Sequence, residues 1–103
     1  MKRIYSQQYA DGNLSCSVNP DKEKLLDFMR KQDYVAVAAG YVDDVVTGEN
    51  LVGKHLFAYQ DGDYGWTSQD VYHFEKYDLE LTPEFCAFAL ARYDSQMPRD
   101  DYE

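Results

Sequence analysis

Apolar positions along this chain follow two rhythms, and one nine-residue stretch obeys neither. In NLSCSV, Leu14, Cys16 and Val18 alternate with Asn13, Ser15 and Ser17, the period of a half-buried strand that turns Cys16 inward. Asp11-Gly12 separates this run from RIYSQQY and reads as a hairpin turn, because a type I′ turn needs positive φ. KHLFAYQ and DYGWT flank a second such signal, Asp61-Gly62. There His55, Phe57 and Tyr59 share one face and Leu56 and Ala58 the other.

Helical spacing takes over in NPDKEKLLDFMRKQ. Leu25, Leu26, Phe28 and Met29 form one stripe, with Asn19 as cap and Pro20 in the first helical position. Thr67 starts a second helix, with Asp70 placed to complete a capping box and Trp66 and Val71 to form a staple. Val71, Phe74 and Tyr77 face the core from it, while Tyr72 projects to the opposite side between Glu75 and Lys76. Thr82 and Pro83 open a third helix. Its apolar residues spread nearly all round, so Phe85, Phe88, Leu90 and Tyr93 are candidates for a homodimer face.

The exception is YVAVAAGYV, Tyr34 to Val42, apolar at every position. A short run of this kind reads as a strand covered on both faces, hence central in its sheet. The pattern predicts an α+β fold: two hairpins and this central strand in an antiparallel sheet of four to six strands. Helices near 20–31, 68–77 and 83–93 would pack against it. Residues 1–94 form one domain in this reading, with 95–103 as a flexible acidic tail.

Composition changes the picture in one respect, charge. The formal net charge is −9 over 103 residues. Residues 1–31 carry six Lys/Arg against four Asp/Glu, and residues 32–103 carry four against fifteen. That excess argues against ordinary nucleic-acid binding and for a basic protein partner. No apolar run reaches the roughly 20 residues of a membrane span, and MKRIYSQQYADG has no apolar stretch typical of a signal peptide. A cytoplasmic location is the expectation. Cys16 and Cys86 fit reduced, buried thiols.

Chemistry is sparse. No Cys-x-x-Cys or His-x-x-x-His spacing marks a metal site, and neither a metal nor a cofactor is expected. Glycine-rich phosphate loops and nucleophile elbows are absent too. Asp43-Asp44 close the apolar strand, but adjacent strand residues point to opposite faces, which argues against a shared proton. The leading expectation is a non-enzymatic interaction protein, like inhibitors or immunity proteins in size and charge only. Its contact face would hold Tyr64, Tyr72, Asp61, Asp63, Asp70, Glu75 and Asp78. An alternative is a small-molecule pocket of His55, Trp66, His73 and Tyr77 between sheet and helices. An enzyme using carboxylate or histidine chemistry ranks third.

Overall fold

The computed structural model describes residues 2–5, 9 and 12–96. The chain is α+β, with three helices and a three-stranded antiparallel sheet in the order β1-β2-β3. The elements are α1 (Lys22–Lys31), β1 (Tyr34–Asp44), β2 (Glu49–Asp61), β3 (Tyr64–Thr67), α2 (Ser68–Tyr77) and α3 (Pro83–Gln96). No helix among the described residues is long and apolar enough to cross a membrane.

Local signals account for much of this. The stripe Leu25, Leu26, Phe28 and Met29 is buried. α1 starts at Lys22 rather than Pro20, because the Asn19 side chain accepts the Asp21 N–H and holds Pro20 in a turn ahead of the helix. Thr67 and Asp70 form the expected capping box. α2 stops at Asp78, whose left-handed conformation lets its N–H reach the carbonyls of His73 and Phe74. The Thr82 hydroxyl accepts the Phe85 N–H at the start of α3, which runs on to Gln96, past the expected end at residue 93.

The core lies where the helices meet β3. Phe28, Phe74, Phe85, Leu25 and Met29 are fully buried, with Trp66 and Tyr64 against them. Phe85 packs edge-on against Trp66 and Tyr64 at centroid distances of 5.5 and 5.3 Å. Such pairs add about 0.5–1.5 kcal/mol each beyond their buried area.

Two expectations about strands fail. The segment before α1 contains no hairpin among its described residues, and Asp11 lies outside them. It reaches distant backbone instead. Lys2 exchanges hydrogen bonds with Asp63 and Gly65 on the outer edge of β3, and Ile4 accepts the Thr82 N–H. The Ser15 carbonyl accepts the Glu80 N–H, and the Ser17 N–H donates to the Asp78 carbonyl. Cys16, bridged to Leu79, is exposed rather than inward, and Val18 is exposed as well. The alternation in NLSCSV therefore marks an extended segment, not a buried face.

The apolar run Tyr34–Val42 is not central. It lies in β1, which pairs only with β2 and forms the far edge of the sheet among the described residues. Every residue from Tyr34 to Gly40 is exposed, Val35 at 62% and Val37 at 54%. Register shifts on either side of Tyr41, with positive φ at Gly40 and Gly53, make bulges in the β1–β2 ribbon. The helices cover only its base, near Val42 and Asp44.

Candidate functional site

The ribbon carries the surface features that packing leaves unexplained. On one face Tyr34 meets Phe57 at 4.9 Å, Tyr41 meets His55 at 5.5 Å, and His55 meets Phe57 at 6.2 Å. The ladder sets this row, since Tyr34 pairs with Tyr59, Val37 with Phe57 and Tyr41 with His55. The predicted sharing of a face by His55, Phe57 and Tyr59 thus acquires a second row from β1. On the other face are the pairs Ala36–Ala58 and Ala38–Leu56.

The two sheet edges differ. β3 is covered by Lys2, whose amide and carbonyl continue the ladder. At the end of β3, the Ser68 hydroxyl accepts the Phe57 N–H at 3.0 Å and donates to the His55 carbonyl at 2.9 Å. One side chain thereby serves as one further ladder residue. Among the described residues β1 has no such cover. Its stretch Tyr34–Val42 is uncharged and is bracketed by exposed Asp33 and Asp43. Natural sheets blunt long apolar edges with charge, proline or a covering segment unless the edge receives another chain.

Beside the ribbon, a cleft of about 360 Å³ opens between the aromatic face of β2 and the helices α1 and α2. Phe57, Tyr59 and His55 line it from the sheet, and Tyr72 and Val71 from α2. Arg30 and Glu75 close one side as an ion pair at 2.6 Å, both about half exposed. Lys54 stands on the wall with no ion-pair partner among the described residues.

At the ribbon's base Asp44, 1% exposed, holds the β1–β2 turn against α2. One carboxylate oxygen accepts the amides of Val46 and Thr47, and the other accepts the hydroxyls of Tyr72 and Tyr77, both at 2.6 Å. Burial pushes its pKa up, but the two hydroxyls and two amides outweigh that and hold it well below the usual carboxylate range. All of these bonds serve the fold. Neighbouring Asp43 accepts a bond from Asn50 on the opposite strand, so the two carboxylates do not share a site. Next to this anchor His73 is fully buried. Its Nε2 accepts the Val45 N–H, leaving Nδ1–H to donate to the Gln69 carbonyl.

The residues expected to form an acidic face part company. Tyr64 and Asp70 are buried, at 8% and 7% exposure, and neither belongs to an outer face. Tyr64 packs on Phe85 and Phe88, while Asp70 accepts hydrogen bonds from Tyr9 and the Thr67 amide. Burial raises the Asp70 pKa against those bonds, and it raises the Tyr9 phenol together with the Asp70 charge. Tyr72 is half-buried, its hydroxyl turned to Asp44. Asp61 pairs with Arg92 and Asp78 with Lys22, leaving Asp63 and Glu75 as the exposed acids of the set.

The expected pocket set separates too. His73 and Tyr77 stack at 5.9 Å, Trp66 lies in the core, and His55 is on the ribbon. Of the proposed dimer face, Phe85 is fully buried, and Phe88, Leu90 and Tyr93 pack partly against the core. α3 exposes Ala87 and Ala91 between Glu84 and Arg92 instead. Among the described residues no cluster of three or more His, Cys, Asp or Glu is arranged for a metal. Sequence reasoning missed Tyr34, Val37 and Tyr41 as surface residues. Their signal is an uncharged run between two aspartates, a pattern that a buried strand shares. No protein-family model, curated protein or solved structure matches the chain.

Proposed function

We propose that this chain is a non-enzymatic interaction module that accepts an extended segment of a basic protein along the open edge of β1. One observation carries the reading: a long apolar strand with two exposed faces and an edge left free among the described residues, in a fold that covers the opposite edge of the sheet. Strand addition supplies backbone hydrogen bonds, and alternate side chains enter the ribbon's two faces. Asp33 and Asp43 at the ends of the uncharged stretch favour lysine or arginine flanking the partner's apolar residues. The net charge of −9 favours the same partner at longer range.

A second copy of the chain fits this edge less well. Antiparallel pairing centred on Ala38 sets Asp33 of each copy opposite Asp43 of the other, and like charges directly opposed destabilise a pair.

The test compares the native chain with the double variant Val35→Lys, Val37→Lys in binding a lysine-flanked valine–threonine peptide and its glutamate-flanked counterpart. The reading requires binding of the basic peptide that weakens with salt, slows amide exchange along β1, and is lost in a double variant of unchanged Tm. Equal binding of the two peptides refutes the charge preference. Failure of the basic peptide to protect β1 refutes the edge.

A further inference from the structure

We infer that the cleft between the β1–β2 ribbon and helices α1 and α2 binds a small planar aromatic anion. This site is separate from the β1 edge and does not depend on the proposal for that edge.

Three observations converge on that ligand. The cleft volume, about 360 Å³, lies within the range of small-molecule sites, roughly 300–1,000 Å³. Rings stand on both walls, Phe57 and Tyr59 on the sheet side and Tyr72 on the helix side. Flat aromatic ligands gain from offset and edge-on contacts with such rings, which aliphatic ligands of equal area do not make. The fully charged side chains on the walls are Arg30, Lys54 and Glu75, two cations to one carboxylate, in a chain whose net charge is −9.

The positive charge has chemistry to spare. Arg30 and Glu75 largely neutralise one another, with Nη2 of Arg30 2.6 Å from Oε1 of Glu75. Lys54 has no carboxylate partner among the described residues. A ligand carboxylate that reaches Lys54 while its ring lies on Phe57 therefore meets an unspent charge. A cationic ligand meets repulsion at the same place. The site thus inverts the charge preference of the rest of the surface.

Tyr59 provides the readout. Its ring stacks on the sole tryptophan, Trp66, at 6.1 Å and 18°, so occupation of the cleft perturbs indole emission. The probes are 2-naphthoate, 2-naphthamide and 2-naphthylmethylammonium, followed by amide chemical-shift mapping and calorimetry, since naphthalene absorption complicates emission alone. Naphthoate is expected to bind with a dissociation constant on the order of 10⁻⁴ M, with shifts centred on Lys54, Phe57, Tyr59 and Tyr72. It should bind about tenfold tighter than the amide. Lys54→Gln should erase that preference, and Phe57→Ala should weaken both probes. The inference is overturned if the ammonium probe binds as well as naphthoate, or if the shifts centre elsewhere. It is equally overturned if naphthoate moves no cleft resonance at about 5 mM.

Discussion

Removing the Asp44 carboxylate should unfasten the ribbon from α2 at a calculable cost. Asp44→Ala deletes the acceptor for two tyrosine hydroxyls and two turn amides. Hydrogen bonds to a buried charge are each worth about 1.5–3 kcal/mol. The donors here belong to half-buried tyrosines and exposed turn residues, so water replaces much of each bond once the carboxylate is gone. Taking about 0.5–1 kcal/mol for each, the substitution costs ~2–4 kcal/mol. Domains of this size have about 5–15 kcal/mol in total, and each kcal/mol moves Tm by roughly 4–8 °C. A loss of roughly 8–32 °C follows.

Urea denaturation monitored by Trp66 emission measures this directly. Asp44→Asn should lie between alanine and native, because the amide keeps an oxygen for the turn amides while the tyrosine hydroxyls reorient. A double-mutant cycle with Tyr72→Phe should show coupling of about 0.5–1 kcal/mol. The pH dependence adds a second check. Asp44 is depressed in the folded state from an ordinary value of 3.8, so its stabilisation is complete above that value and is lost as pH falls towards the folded pKa. The stability gap between native and Asp44→Asn should therefore be constant near neutrality and shrink below about pH 4. A cost under about 1 kcal/mol for Asp44→Ala, or a gap that widens in acid, refutes the anchoring role.

Further outcomes follow from single contacts. Phe88→Asp should unfold the chain rather than yield a soluble monomer, because Phe88 packs on Tyr64 at 4.9 Å and Phe28 at 6.5 Å; sedimentation and circular dichroism distinguish the two results. Gly62→Ala should cost more than about 1 kcal/mol in urea melts, since φ is +60° and a Cβ would meet the Phe88 ring at 3.1 Å. Nitrogen-15 shifts of the His73 imidazole near neutral pH should report the Nδ1–H tautomer, and an Nε2–H signal would contradict its bond from the Val45 amide.

Short-range patterns were legible in the sequence because their physics is short-range. The Thr67–Asp70 box spans three residues, the α1 stripe two turns, and the Asp61-Gly62 hairpin a single reversal. What was not legible joins distant residues. Asp44 meets Tyr72 and Tyr77, which lie 28 and 33 residues away, and Tyr9 meets Asp70 across 61. Neither aspartate differs from a turn or surface residue until its partners are placed. Tyr64 illustrates the same limit, since a tyrosine at a hairpin tip reads as exposed unless Phe85 and Phe88 are known to lie over it.

The misplacement of Tyr34–Val42 has a different cause, and it bears on function. Apolarity at every position is evidence that both faces of a strand seek cover, whichever chain supplies it. Among the described residues the helices reach β1 only at its base, where Tyr72 and Tyr77 of α2 meet Asp44, and none lies over Tyr34–Gly40. Meanwhile β3, only four residues long, receives a covering segment from Lys2 and a side-chain substitute from Ser68. An eleven-residue edge carrying exposed valines at 62% and 54% receives neither among the described residues. Leaving an edge bare costs solubility, which is why natural sheets seldom do it without a partner to meet. The pattern therefore fails as a statement about burial within this chain, since Tyr34–Gly40 are exposed. On the proposal above, a partner segment covers β1, and charge at the two ends of its apolar stretch restricts what can provide that cover.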